Sequence, residues 1–378
     1  MKKKLMAGCM AGITLLMGSC AGKAGQAEKP ADDSLYLLVG SYADSMQEGV
    51  KVYEFDQEKG DGTYLSGLKG ISNPSFLTVS GNGERVYAVG EDSEEGSTAN
   101  ALSFDREAGR LKLLNSMFTG GGAPCNITLS PREDYVLTAN YMGGSISVFP
   151  LEADGQLKES HVIRFEGKGP SQPHLHSVLF TPDSKWLLAN DLGTDRIHVF
   201  PVKDSSKGEG LLDEAAAYDI QLRPGSGPRH TCFSPDGHYA YLITEISGDV
   251  VAMAYDGMRL DTLQYIKADT LSAQGSADIH VSPDGRYVYA SNRLKGDGIA
   301  VFEVDTEDGT LNRVGYQPTG IHPRNFVITP NGGFLLVACR DTNEIQIFAR
   351  DADTGMLTDT GKRIKTEKPV CLVFVAKK

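Results

Sequence analysis

Four arginines, four histidines and a few acids carry most of the chemistry this chain could do. Arg229, Arg293, Arg324 and Arg340 stand at the ends of strand-like segments, as do His174, His176, His230 and Glu245. Guanidinium groups that converge in a chain of net charge −12 point to an anionic ligand, since arginine presents a planar fork of donors matched to carboxylate or phosphate. Their alternative fate is salt bridging to Glu245, Asp278 and Glu91. His174, His176 and His230 are candidate general bases. Glu245, flanked by apolar and small residues, is expected either to titrate high enough for acid or base work or to pair with Arg229. His280 lies deeper, in a register otherwise filled by Thr, Leu, Cys and Val, where an imidazole needs a partner. The spacing of His174 and His176 also occurs in metal sites, but no third ligand stands nearby, so no metal or other cofactor is expected. No glycine-rich phosphate loop, nucleophile elbow or Ser/His/Asp order is present, which favours an activated water over a covalent nucleophile. His161, His198, His238 and His322 fall in outer strands or loops and receive no role.

A repeated phrase must position these residues. An apolar strand, a Ser/Thr-Pro-Asp-Gly-like turn and an aromatic-rich strand recur from Pro74, Pro124, Leu175, Pro228, Ser276, Pro323 and Pro369. The spacings of 46 to 53 residues, with a second pair of strands in each unit, predict an all-β, seven-bladed propeller of four-stranded blades. The last copy is cut short, and the segment 35–73 supplies the remainder of one unit. Strand Leu35–Tyr42 is therefore expected to pair with Pro369–Val375 and close the ring, leaving no free sheet edge. The start of each first strand and the end of the second share one mouth of the central channel. The second residues of the first strands are Ser75, Cys125, His176, Arg229, Ala277, Arg324 and Val370. The third are Phe76, Asn126, Ser177, His230, Asp278, Asn325 and Cys371. The second strands end on Tyr42, Glu91, Tyr141, Leu192, Glu245, Arg293 and Arg340, preceded by Ser41, Gly90, Asn140, Asp191, Thr244, Asn292 and Cys339. These columns gather the polar residues. The fourth and sixth columns of the first strand are apolar and read as packing between blades.

Lys2–Lys4 followed by the short apolar run Leu5–Met17 reads as a secretory signal, and Met17-Gly18-Ser19-Cys20 reads as a lipobox with Cys20 lipidated. Residues 21–34 form a small, polar tether, and 35–378 the propeller. The expectation is an exported bacterial lipoprotein, monomeric, touching a membrane only through its lipid anchor. The acidic balance disfavours nucleic acid. Cys125, Cys232, Cys339 and Cys371 show no ligand spacing and read as small buried residues.

The phrases NYMGGSISVFPL (140–151), PHLHSVLFTPD (173–183), GPRHTCFSPDGHYAYLITE (227–245), ADIHVSPDGRYVYASNR (277–293) and HPRNFVITPNGGFLLVACRD (322–341) resemble the lactonase family of seven-bladed propellers. That family contains bacterial propeller-type 6-phosphogluconolactonases and fungal carboxymuconate cyclases. The resemblance implies metal-free opening or closing of a lactone ring, with His176, Arg229, Glu245 and Arg293 as the catalytic set. The chain departs from the family at Thr244, where Asn is usual, and at Arg340.

The combined expectation is water-driven hydrolysis of a small anionic lactone, 6-phosphogluconolactone by resemblance. His176 or His230 would act as base. His174, His230, His280, Arg324, Asn325, Arg340, Asp191 and Asn140 would contact substrate. An export signal fits an unphosphorylated lactone or another anionic cyclic ester better than a cytoplasmic sugar phosphate. A non-catalytic surface propeller binding glycan or peptide is the alternative from another class; the single tryptophan, Trp186, argues against aromatic glycan platforms.

Overall fold

The computed structural model describes residues 34–93, 96–167, 171–204 and 210–377. The signal segment, Cys20 and nearly all of the tether lie outside these residues. The described chain forms seven four-stranded antiparallel sheets arranged as a propeller. Blade 1 comprises Ser34–Ser41, Val50–Asp56 and Asp61–Leu68, with Pro369–Ala376 as its innermost strand. The inner strands of blades 2 to 7 are Leu77–Val79, Pro124–Leu129, Leu175–Phe180, Pro228–Phe233, Ser276–Val281 and Pro323–Ile328. Leu35 pairs with Ala376 and Ser41 with Pro369, so the two ends of the chain share one blade as the repeat count requires. Ser41 lies at the mouth end of its strand. Ser34 and Ala376 therefore lie at the opposite end.

The repeat phrase specifies this geometry locally. In the turn Ser234–Gly237 the Gly237 amide donates to the Ser234 carbonyl at 2.9 Å, and Asp236 Oδ1 accepts from both the Ser234 hydroxyl and the His238 amide. Gly237 sits at φ +76°, a conformation that an L side chain resists. The aromatic second strands tie blade to blade: Tyr87, Tyr241 and Tyr289 donate their hydroxyls to the carbonyls of Gly155, Gly309 and Gly355 in the next blade's outer hairpin.

Two features set the mouth. First, the ladder between inner and second strands skips a residue near the start of the inner strand. Cys125, His176, Arg229 and Arg324 are left unpaired in blades 3, 4, 5 and 7, Ala277 and Asp278 in blade 6, and Val370 in blade 1. Such a bulge re-aims the side chain it carries. Secondly, the third column runs between blades. Asn126 Oδ1 accepts from the Val178 amide (3.0 Å), Ser177 Oγ donates to the Arg229 carbonyl (2.6 Å), and Asn325 Oδ1 accepts from the Leu372 amide (2.7 Å). This column is a belt joining neighbouring blades. Of the two apolar columns, the fourth is buried apart from the half-buried Thr231, while the sixth (Val79 to Phe374) is only half-buried.

The closing strand buries Val370, Leu372 and Val375. At about 1.5–3 kcal/mol each, these three side chains alone approach the whole stability of an ordinary domain, about 5–15 kcal/mol. A chain ending at Glu367 is expected to lose its cooperative urea transition followed by circular dichroism. A sharp transition near the full-length midpoint would contradict closure through this strand.

Candidate active site

Glu245 follows the second strand of blade 5 and accepts on Oε2 from Arg229 Nε at 2.7 Å and lies 3.2 Å from Arg293 Nη2. Burial pushes its carboxyl up, but Arg229, Arg293 and Arg324 outweigh burial and hold it below its ordinary value. Glu245 is thus an ionised bridge between two guanidiniums: of its two expected fates, pairing with Arg229 is the one the structure shows, and titration above the ordinary value is not. Arg229 is 1% exposed, and its Nη1 also donates to the Ala277 carbonyl at 2.6 Å. Arg293 donates from Nε to the Gly275 carbonyl at 2.8 Å. Burial lowers the affinity of both for their protons, to about 9 for Arg293.

The imidazoles divide into two kinds. His230 Nδ1 lies 2.8 Å from Asp278 Oδ1, and its Nε2 lies 3.3 Å from Arg229 Nη1, so the proton sits on Nδ1. Burial and then Arg229 bring His230 down to about 4. His176, in its bulge, packs edge-on to His230 and Tyr141 at centroid distances of 5.2 and 5.7 Å. Its Nδ1 is buried, and among the described residues no partner hydrogen-bonds to its ring. Burial, Arg229 and His230 together hold it well below the ordinary histidine value. Both rings are neutral near pH 7.

Asp278 is the anchor beneath them. Its carboxylate takes His230 on one oxygen and His280 Nε2 (3.0 Å), Asn325 Nδ2 (2.5 Å) and the Phe326 amide (3.2 Å) on the other. His280 therefore has the partner its depth demands, while more than a third of its side chain remains open.

Across the mouth lies a second group. Glu91 accepts from the Tyr42 hydroxyl at 3.0 and 3.1 Å and from the Ser75 hydroxyl. Arg324 Nη2 is 3.9 Å from Glu91 Oε2, and its guanidinium carbon lies 5.4 Å from the centre of the Tyr42 ring. The charge on Arg324 also acts on Arg229, Arg293 and Glu245, so the two groups lie within electrostatic reach of one another.

Several expected contacts are not with this cluster. Asp191 accepts from the His174 and Gly193 amides and the Thr194 hydroxyl, with His198 at 3.4 Å, and is buried within blade 4. Asn140 bridges Thr138, Ser145 and Ser147 within blade 3. Asn325 belongs to the interblade belt. Arg340 is chelated by its neighbour Asp341 at 2.7 and 2.8 Å. His174 stacks on Tyr141 at 4.6 Å and holds its carbonyl. Conversely, His322, given no role from sequence, is buried with Nε2 3.1 Å from Arg293 Nη1. It occupies the same column as His174, one residue before the first strand, and that column was the signal available. The four cysteines from Cys125 onward are free thiols.

Against known proteins, the family described as lactonase, 7-bladed beta-propeller, matches residues 36–374. The chain is 35% identical to a Bacillus subtilis 6-phosphogluconolactonase over 89% of its own length and 97% of that protein's. A crystal structure from Bacteroides fragilis superposes with a TM-score of 0.87 at 50% identity, covering 92% of this chain and 99% of that one. The periplasmic gluconolactonase of Pseudomonas aeruginosa superposes with a TM-score of 0.85 at 33% identity, covering 91% and 100%.

Proposed function

The chain belongs to the seven-bladed β-propeller lactonase family and is a lactone hydrolase, and from that premise we propose that it opens a six-carbon sugar lactone by activated water at this mouth. The observation that carries the reading is the pairing of an unpartnered neutral imidazole, His176, with two guanidiniums bridged by one carboxylate. His176 takes a proton from water as the water oxygen attacks the lactone carbonyl carbon. The carbonyl oxygen becomes the oxyanion and is held by Arg229 and Arg293. Collapse of the tetrahedral species breaks the ring C–O bond, and His176 returns its proton to the leaving alkoxide. Three charged groups, two arginines and Glu245, leave one positive charge to meet the developing negative one. His230, fixed by Asp278, packs beside His176 and limits its rotation. The similarity to a periplasmic gluconolactonase supports export, and the sequence of residues 1–20 supports a lipid anchor at Cys20.

Because the folded ring resists protonation, kcat/KM is expected to stay level as pH falls to the ordinary histidine value of about 6.5 and to decline only below it. His176→Gln is expected to lower kcat by about a hundredfold or more. A pH–rate profile of both proteins on a sugar lactone checks this. An acid limb at the ordinary histidine value, or a glutamine variant with wild-type kcat, rules His176 out as the base.

A further inference from the structure

The catalytic half of the mouth, built on blades 4 to 6, leaves the other half unassigned. Arg324, Tyr42, Glu91 and Ser75 come from blades 7, 1 and 2. Arg324 is the unusual member. Its side chain is 15% exposed, yet among the described residues none of its five N–H groups makes a hydrogen bond; its ion pair is at 3.9 Å. These donors are free to meet an acceptor on a bound molecule. Glu91 beside it has the complementary capacity. Tyr42 and Ser75 occupy part of its acceptor positions, and a carboxylate has about four.

We propose that Tyr42, Ser75, Glu91 and Arg324 form a hydroxyl-recognition subsite that makes the enzyme select polyhydroxylated lactones carrying no phosphate. The inference rests on the lactonase reading above and deepens it. A sugar hydroxyl both donates and accepts, so neighbouring hydroxyls can satisfy Glu91 and Arg324 together. A phosphate dianion only accepts. It would suit Arg324 but stand against Glu91, whose charge cancels that of Arg324 and leaves this half of the mouth neutral. Arg340, the remaining arginine of the four, is already chelated by Asp341. The two lactones named by the relatives differ by this one group, and Glu91 is the residue that separates them.

The test compares kcat/KM of the full-length protein on glucono-δ-lactone, its 6-phosphate and δ-valerolactone, which has no hydroxyls. The wild type is expected to prefer glucono-δ-lactone over each of the others by about tenfold or more. In Glu91→Gln both preferences are expected to shrink by about tenfold, mainly through KM. Preference of the wild type for the phosphate ester overturns the proposal and needs no variant to fold. So does a Glu91→Gln enzyme that keeps both ratios. Turnover of none of the three removes the lactonase reading itself and this inference with it, whereas turnover of δ-valerolactone with wrong ratios removes only the inference.

Discussion

Arg229→Ala is expected to lower kcat on a sugar lactone by about a hundredfold to a thousandfold, the usual consequence of removing one donor aimed at a developing oxyanion. Arg229 holds Glu245 at 2.7 Å and the Ala277 carbonyl at 2.6 Å, which leaves Nη2 without a partner among the described residues. The guanidinium is thus fixed before substrate arrives and does not have to reorganise as charge develops. Its loss also leaves Arg293 and Glu245 to cancel each other, so the pair no longer offers a net positive charge to the oxyanion. KM is expected to move much less than kcat. Arg229→Lys restores the charge but not the fork and should recover only part of the loss. Steady-state kinetics on protein whose thermal transition is retained decides the matter; a folded alanine variant with wild-type kcat removes Arg229 from the mechanism.

Among single substitutions, the largest effect on stability is expected at Asp278. Its side chain is almost completely buried and receives two imidazoles, an amide side chain and a backbone amide, linking blades 5, 6 and 7. Asp278→Ala strips the partners from all of these, and loss of one member of a buried charged set typically costs about 3–5 kcal/mol. The pH dependence follows from the directions of the shifts. Burial pushes the Asp278 carboxyl up, but His280 and His230 outweigh it and hold it well below the carboxylate range. Its contribution is therefore complete above the unfolded value of about 4 and is lost as pH falls below that. His280 is shifted the other way: burial lowers it, and Asp278 more than restores it. That contribution is complete below about 6.5 and fades as pH rises through the folded value. Urea unfolding of the wild type should show both slopes, and Asp278→Ala should lose both. Equal slopes in the two proteins would mean that the network does not govern acid stability.

The repeat made the ring legible because blade geometry is written in local terms. A turn with glycine at positive φ, an aromatic reaching the next blade's hairpin and a truncated last copy all follow from short stretches of sequence. Reading the repeat in columns also reached Arg229, Glu245, Arg293, Arg324 and His176. What it lacked was the bulge. Strict alternation along a strand does not reveal that one residue is skipped, so the second and third columns looked alike as mouth residues. The bulge turns Arg229 toward the opening and leaves Asn325 and Ser177 between blades. Charge states were hidden for a related reason. The flanks of Glu245 are apolar, but two arginines from different blades decide its ionisation, and only folding brings them within 3.2 Å. Asp341 beside Arg340 was visible, and a bidentate contact between neighbours was readable from the pair alone.

Ser34 and Ala376 stand side by side at the end of blade 1 remote from the mouth. Any force or surface applied at Ser34 or Ala376 consequently reaches the propeller from behind. The mouth lies at the other end of the blade from that point of attachment. Attachment at Ser34 or Ala376 thus leaves the mouth side of the ring uncovered, whereas a partner that docks over the mouth-side loops would act as a cover.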